Sequence, residues 1–269
     1  MLSLFLFRKR DNVFRNMVMP WNPAQYHKFQ SERSAPFFDL LNLVEIRPQL
    51  KVIDLGCGTG ELTRILADAL PESTVTGLDS SLQMLDKAAS HTRENLRFEQ
   101  GDLSELTENW DLIFSNAAIQ WCEDHEKLIP DLFSKLNQGG QLCVQIPSNH
   151  NHISHLLIRE TAKETPFAKI LDGFERISPV LSIEQYTKIL FALGAKNILV
   201  FEKIYPHVLE NSNAVIEWIS GTALVPYFER LGKHKSEFLD VLRRKMTKAL
   251  PESPLLYPFR RILFSGMKP

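Results

Sequence analysis

The sequence predicts an α/β protein with a doubly wound, mostly parallel sheet and a helical cap inserted near the C-terminus. Three observations predict this fold. Short apolar runs alternate with helical spacing between residues 50 and 147, which is typical of a sheet covered by helices on both faces. Three glycines follow the first apolar run at alternate positions. A mostly helical block, residues 211–250, stands between the last two predicted strands, so we expect it to cover the strand ends.

Each element is predicted from its own pattern. The strands of the core are expected at residues 51–55, 74–79, 95–99, 110–115 and 140–146, and its helices at residues 60–69, 81–90 and 125–136. Later elements are expected at residues 152–164 (helix), from a capping box at Ser182 to about residue 193 (helix), 196–205 (strand) and 255–267 (last strand). The helical block is interrupted at Pro226 and Gly232.

The residues before the sheet predict a helical lid over residues 20–45. Asn22 and Pro23 are typical of a helix N-terminus, and Pro36 predicts the start of a second helix that ends near residue 44. The binding core is then expected at residues 50–147, and the substrate-side cap at about residues 150–193 and 206–250. We expect one domain over residues 19–269, preceded by an extension at residues 1–18 that is disordered or lies before the true start.

The turn after the first strand predicts a nucleotide-like ligand. Rossmann-like sheets hold such ligands with a strand, a glycine turn and a helix, because glycine lets the backbone turn tightly and approach the ligand. The three glycines of this turn are Gly56, Gly58 and Gly60. Asp54 would repel a pyrophosphate but suits a ligand with an ammonium group. Asp79 ends the second strand, where a ribose-binding carboxylate belongs, and Asp102 follows the third.

These motifs resemble the class I S-adenosylmethionine (SAM)-dependent methyltransferases over residues 52–146. The resemblance implies that the glycine turn cradles the methionine part of SAM, that Asp79 binds the ribose hydroxyls and that Asp102 meets the adenine amine. The end of the fourth strand then faces the transferable methyl group, and Trp121 could offer an aromatic face to the sulfonium cation. The implied SAM-binding residues are Asp54, Gly56, Gly58, Gly60, Asp79, Asp102, Asn116 and Trp121.

Further motifs resemble the trans-aconitate 2-methyltransferase family over about residues 20–266. They are the Trp21-Asn22-Pro23 segment with Tyr26, Phe29 and Arg33, the 116–125 and 145–149 segments, Arg159-Glu160, and Trp218. The resemblance implies bacterial cytosolic enzymes that methylate a carboxylate of this small acid. The residues that we expect on the substrate side are Tyr26, Arg33, Gln120, His125, Arg159, Trp218 and Arg261. Val225 departs from the arginine of the family pattern, which favours a different or less charged acid.

A carboxylate acceptor is already ionised near pH 7, so the reaction needs no general base and no catalytic acid or base is assigned. We expect the chain to position the acid with arginines and to exclude water. Three alternatives stay open. They are a malonyl thioester on an acyl carrier protein, as in biotin synthesis, another small O- or N-methyl acceptor, and a SAM-binding protein without turnover.

The composition narrows the setting of the protein. The chain has 269 residues and a net charge of -1, so nothing suggests a nucleic-acid partner. The three cysteines are scattered and predict a reduced, cytoplasmic setting, and the eight histidines have no metal-ligand spacing. No transmembrane segment is expected, and the sequence does not indicate an oligomeric state.

Overall fold

One seven-stranded sheet runs through the part of the chain that the computed structural model describes, residues 28–103 and 105–269, with side chains from residue 34 onward. Its strands are β1 (Lys51–Leu55), β2 (Thr74–Asp79), β3 (Leu96–Gln100), β4 (Trp110–Asn116), β5 (Leu136–Pro147), β6 (Lys196–Leu209) and β7 (Leu255–Met267). The order across the sheet is β3-β2-β1-β4-β5-β7-β6. Strands β1 to β5 pair in parallel, and β7 runs antiparallel to both of its neighbours. The predicted doubly wound, mostly parallel sheet is confirmed.

Helices cover both faces of the sheet and build the cap. Within the described residues they are α1 (Lys28–Leu41), α2 (Glu61–Ala69), α3 (Leu82–Ala88), α4 (His125–Ser134), α5 (Ile153–Ala162), α6 (Phe167–Ile170), α7 (Ile183–Ala192), α8 (Ser212–Ser220), α9 (Val225–Leu231) and α10 (Lys235–Ala249). Short 3-10 turns lie at Ala89–His91, Ile119–Trp121 and Gly232–His234. In this part of the chain no helix combines the length and the apolar character that crossing a bilayer would require.

The alternation of side chains along each strand builds one apolar layer on each face. Val52 of β1 points to the face covered by α1 and α2, where it joins Phe37 and Leu66. The next residue, Ile53, points to the opposite face and joins a cluster with Leu128 of α4 and other residues. Both faces of the central strands are therefore dry, which explains why these strands read as continuous apolar runs.

The cap has an apolar core of its own. It is formed by α5, α6, α8, α9 and α10 together with the start of β7, and it includes Phe167, Tyr227, Phe238 and Tyr257, all essentially unexposed. Helix α7 belongs instead to the layer that covers the sheet, since Tyr186 packs there with Phe264. The predicted cap range of residues 150–193 thus includes a helix that packs on the sheet.

Two prolines occupy places that differ from the expectation. Pro36 does not start a second helix but lies inside α1, where it is buried. Its missing N–H is tolerated because the next turn packs Phe37 and Leu40 against the sheet. The interruption near Pro226 comes earlier than predicted, at residues 221–224, and Pro226 itself is in the first turn of α9. The capping box at Ser182 and Gln185 is confirmed.

Candidate active site

The three glycines of the motif have different steric surroundings. All of them have positive φ angles, +73° at Gly56, +56° at Gly58 and +78° at Gly60. A Cβ at Gly56 would lie 2.2 Å from the Cβ of Ala118, and one at Gly60 would lie 2.7 Å from the ring of Phe98. A Cβ at Gly58 would meet nothing within 4 Å. The outer two glycines are therefore needed for packing of the turn, whereas Gly58 borders open space.

Asp79, at the end of β2, is held against the same turn. Its Oδ2 accepts a hydrogen bond from the N–H of Gly58 at 2.9 Å, and its Oδ1 accepts one from the N–H of Ser81 at 2.9 Å. Ser81 caps α3. The two backbone donors fix the half-buried carboxylate at the strand end, where the sequence predicts a ribose contact.

Asp54 is a buried carboxyl group beneath the turn. It is 4% exposed, and its Oδ2 accepts a hydrogen bond from the hydroxyl of Thr63 at 2.7 Å. Burial raises the pKa of Asp54 to about 7, against the lowering effect of the Thr63 bond, and the charge of Asp79 adds to the rise. A cation beside this carboxyl would favour its ionised form.

The remaining predicted residues follow the ends of β3 and β4. Asp102 lies just beyond β3 and is exposed. Burial raises the pKa of the Cys122 thiol, and the negative charge of Asp102 adds to the rise. Asn116 ends β4, and its buried Oδ1 has no hydrogen-bond partner among the described residues. The predicted SAM-side residues thus line the carboxyl ends of neighbouring strands.

A cavity of about 560 Å³ lies beyond the ends of β4 and β5, between the sheet and the cap. The strand register assembles its sheet side, because Asn116 pairs with Gln145 across β4 and β5, and Pro147 pairs with Arg261 across β5 and β7. Helices α5, α8 and α9 supply the opposite side. Six of the predicted site residues line the cavity: Asn116, Gln120, Trp121, Arg159, Trp218 and Arg261.

Two of the predicted arginines bring positive charge to the cavity from opposite sides. Arg159 of α5 places its Nε 3.5 Å from Oε1 of Glu175, a carboxylate that also binds Lys163. Arg261 of β7 is 7% exposed, and its Nη1 donates to Oε1 of Gln145 at 3.2 Å. These contacts hold both guanidinium groups in place.

A third arginine of the cavity, Arg176, was not predicted. Its Nη2 donates to the carbonyl of Gln120 at 3.3 Å, and its guanidinium carbon lies 4.2 Å from the centre of the Trp121 ring. One face of Trp121, the residue expected near the sulfonium, is therefore next to a guanidinium. Arg176 lies in the irregular segment 171–182 between α6 and α7, where no periodic pattern or motif could have indicated its position.

Two histidines add neutral imidazoles to the cavity wall. Burial lowers the pKa of His155 to about 4, and the charges of neighbouring histidines and of Arg159 and Arg176 lower it further. Burial also lowers the pKa of His150. The positive charge of the arginines thus opposes protonation of these histidines. The same charge would attract an anion into the cavity. Within the described ranges, no group of three His, Cys, Asp or Glu residues is placed to hold a metal ion.

His125 does not line the cavity, contrary to the expectation that it contacts substrate. It is 1% exposed, and its Nε2–H donates to the carbonyl of Ile119 at 2.9 Å. Its Nδ1 then accepts from the hydroxyl of Tyr186 at 2.5 Å. Both ring nitrogens are engaged inside the protein because α4 and α7 pack side by side, so His125 has a structural position.

Two of the predicted substrate-side residues, Tyr26 and Arg33, belong to the predicted lid. Tyr26 and the predicted extension at residues 1–18 lie outside the described residues. Arg33 belongs to α1, but its side chain lies outside the described part of the chain. Their contacts with substrate stay predictions.

Comparison with known proteins finds relatives along almost the whole chain. A family model described as "Methyltransferase domain" matches residues 46–194. The chain is 48% identical over 258 residues to the trans-aconitate 2-methyltransferase of Deinococcus radiodurans, covering 93% of this chain and 99% of that protein. It is 36% identical over 262 residues to a protein of the same name from Variovorax paradoxus, again covering 93% and 99%.

Among solved structures, the phosphoethanolamine N-methyltransferase 2 of Haemonchus contortus in complex with S-adenosyl-L-methionine is similar in fold. The TM-score is 0.52 at 18% sequence identity, over 87% of this chain and 52% of that one. The sequence relatives match this chain over almost their full length, and the solved structure shares its sheet architecture. The chain therefore belongs to the methyltransferase domain family, in the group of relatives named trans-aconitate 2-methyltransferase.

Proposed function

We propose that this chain transfers a methyl group from SAM to a carboxylate of trans-aconitate and so forms a methyl ester. The observation that carries the proposal is the arginine-lined cavity that opens at Asn116, the last residue of β4. Strand β4 adjoins β1, which leads into the glycine turn. An anionic acceptor in the cavity would thus lie beside the predicted SAM crevice. The shared name of the sequence relatives supports trans-aconitate as the acid.

The residues at the strand ends fit SAM as the methyl donor. Gly58 borders open space, Asp79 is fixed where a ribose would need an acceptor, and the buried Oδ1 of Asn116 is available to a donor group. When bound, SAM supplies an electrophilic methyl group on a positively charged sulfur. We assign to its binding Asp54, Gly56, Gly58, Gly60, Asp79, Asp102, Asn116 and Trp121.

The cavity residues account for what the chain itself must do to the acid. The carboxylates of the acid are ionised near pH 7, so no residue has to remove a proton before the attack. Arg159, Arg176 and Arg261 can bind and orient them, since a guanidinium offers paired donors to a carboxylate. Trp218 and the cap form the other side of the cavity, where they would keep water away from the reacting atoms.

Val225 bears on the choice of acid. It begins α9 at the position where the family pattern has an arginine, and it is not among the residues that line the cavity. Among the described residues, three arginines from elsewhere in the chain line the cavity. Positive charge for a tricarboxylate is therefore available without residue 225, which supports trans-aconitate over a less charged acid.

The carrier-protein alternative would need a basic docking face. The compact basic cluster at residues 243–245 lies on α10, where Arg243 pairs with Asp240 at 2.9 Å. Lys245 pairs with Glu160 at 2.5 Å. Because these ion pairs engage two of the three basic residues of the cluster, its surface favours the small acid over a carrier protein.

A tritium-methyl SAM assay on the purified protein tests the proposal. Trans-aconitate, cis-aconitate, citrate, isocitrate and a malonyl acyl carrier protein are offered in parallel. We expect strong transfer to trans-aconitate, and loss of SAM binding and transfer in Asp79→Ala but not in Asp86→Ala, an exposed acid on α3. Transfer to the carrier protein alone would replace the proposed substrate, and SAM binding without any transfer would contradict the proposed activity.

A further inference from the structure

We infer that Arg176 determines the specificity for acids with more than one carboxylate, by binding a carboxylate that is not methylated, and that Trp121 is the positioning residue that holds it. The inference rests on the proposed function and extends it to a residue that no sequence motif indicated. We expect the cavity between the sheet and the cap to prefer an acid with an additional carboxylate.

The guanidinium of Arg176 has two fixed contacts and one buried donor atom without a partner. Its Nη2 donates to the carbonyl of Gln120, and its plane lies near the ring of Trp121. Its Nη1 is buried and has no hydrogen-bond partner among the described residues. A buried donor of this kind is costly to leave unpaired, and a carboxylate oxygen in the cavity would pair it.

The other two cavity arginines are engaged differently. Arg159 has a carboxylate partner in Glu175, and Arg261 donates to the side-chain oxygen of Gln145. The ion pairs found among the described residues include none for Arg176. Among the described residues no protein carboxylate is paired with Arg176, so none competes there with a ligand for its positive charge.

The backbone of Arg176 is tied to the cap while its side chain reaches the sheet. Its N–H donates to the hydroxyl of Tyr227, a residue of α9 that is 2% exposed. Gln120 and Trp121 lie on the 3-10 turn after β4, so the side chain bridges the two walls of the cavity. The geometry is therefore built before a ligand arrives, and little side-chain freedom is lost on binding.

Discrimination follows from the chemistry of an unpaired donor. A guanidinium presents two parallel N–H groups to a carboxylate, and a site built for such a bond rejects an analogue that lacks the acceptor. An acid without the matching carboxylate would leave Nη1 of Arg176 buried and unpaired. We expect the cavity to select for that carboxylate through Arg176.

The test measures the binding of trans-aconitate by titration calorimetry in the presence of S-adenosylhomocysteine, alongside KM and kcat for methyl transfer. We expect Arg176→Ala to raise the Kd and the KM for the acid by about 10- to 150-fold, with the KM for SAM within about twofold. Arg176→Lys should recover only part of the affinity, since a lysine keeps the positive charge but cannot make the paired bond. Trp121→Leu should weaken acid binding less than Arg176→Ala does, and it should also weaken SAM binding, because Trp121 is assigned to SAM as well.

Arg230→Ala is the matched control. Arg230 also stacks on an aromatic ring, 3.7 Å from the centre of Phe174, but it is exposed and does not line the cavity. We expect its acid affinity to be unchanged. Thermal unfolding shows whether each variant is folded. If Arg176→Ala does not fold, the acid affinity of Arg176→Lys is compared with the wild type instead.

Three dicarboxylates, glutaconate, mesaconate and itaconate, each lack a different carboxylate of trans-aconitate and so identify the group that Arg176 binds. With the wild-type protein, one of them should bind more weakly than trans-aconitate by the same factor as the Arg176→Ala effect. With Arg176→Ala that difference should disappear, because both changes remove the same interaction.

The outcomes separate this inference from the proposed function. Unchanged acid affinity in Arg176→Ala, with methyl transfer to trans-aconitate intact, would overturn the inference alone. Acid binding that depends on Arg176 without methyl transfer would overturn the proposed activity alone. Absence of acid binding to the wild-type protein would contradict the inference directly.

Discussion

Gly56, Gly58 and Gly60 share a positive φ angle, but the reasons for a glycine differ between them. Gly56 allows the turn to approach Ala118, and Gly60 allows it to approach Phe98. Gly58 has no such neighbour, so its missing side chain leaves space for a ligand rather than for the protein. A sequence motif thus combines two packing requirements and one binding requirement at adjacent positions.

We expect Gly58→Ala to weaken SAM binding at least tenfold while the protein stays folded. The added methyl group would stand in the crevice, and the positive φ would cost about 1–2 kcal/mol in the free energy of unfolding. Gly194→Ala is the control, since Gly194 has a φ of +72° and open surroundings after α7. Equal SAM affinity in the two variants, measured by calorimetry, would show that Gly58 does not face the ligand.

The pKa of Asp54 predicts a pH dependence of stability. The ordinary pKa of 3.8 is raised to about 7 by burial, so the folded protein keeps this proton over a range in which the unfolded chain has lost it. The stability from this group is present below pH 4 and is lost as the pH rises through 7. Asn cannot ionise, so Asp54→Asn should gain roughly 2 kcal/mol relative to the wild type between pH 5.5 and 8.5.

Chemical denaturation of the ligand-free proteins at several pH values measures this difference. Asp86→Asn, an exposed change on α3, should show no such trend. A parallel pH profile for Asp54→Asn and the wild type would mean that Asp54 is ionised in the folded protein throughout this range.

At the scale of elements, α4 and α7 are joined by a buried polar contact between His125 and Tyr186. The Tyr186 hydroxyl donates to the ring of His125 and accepts from the N–H of Leu181. The capping box at Ser182 begins α7 at the register that brings Tyr186 inward. A histidine that the sequence suggested for substrate therefore serves the packing of two helices.

Tyr186→Phe should lower the free energy of unfolding by about 1–3 kcal/mol, because it leaves the buried Nδ1 of His125 and the half-buried N–H of Leu181 without their partner. The KM values for SAM and acid should not change, since neither Tyr186 nor His125 lines the cavity. Thr187→Ala, on the exposed side of α7, should change stability by less than about 0.5 kcal/mol. A raised KM for the acid at unchanged stability would return His125 to the substrate side.

At the scale of the whole molecule, the sheet and the cap have separate apolar cores, and the cavity lies between them. The predicted SAM-binding residues follow the strand ends, whereas Arg159, Trp218 and Arg176 lie in or next to the cap. Loosening the cap should therefore affect the acid more than SAM.

Phe238→Ala tests this division. Phe238 is unexposed and packs against Phe167 with ring centres 5.1 Å apart, so its loss should cost about 3–5 kcal/mol in stability. In the folded fraction the KM for the acid should rise severalfold while SAM affinity stays within about twofold. Phe191→Ala, at a position that is 78% exposed, is the control and should change neither the stability nor the KM for the acid. Equal losses of SAM and acid binding would mean that cap and sheet form one cooperative unit.

Local patterns in the sequence were enough to predict the sheet and the acids at its strand ends. Alternation along strands, the glycine spacing and the capping box are short-range patterns, and each restricts the backbone within a few residues. Parallel strands then bring their carboxyl ends to one edge, which is why Asp79 and Asn116 could be assigned from their positions at strand ends. Arg159, Trp218 and Arg261 were found through a family resemblance or a predicted strand end.

Long-range packing, in contrast, sets which side chains meet across the cavity. Arg176 reaches Gln120 over a separation of 56 residues, and His125 meets Tyr186 over 61. Such contacts depend on how an irregular segment crosses the sheet and on how two helices pack, and no local pattern encodes either. The same dependence places Pro36 inside a helix, because packing of that helix on the sheet outweighs the local preference of proline.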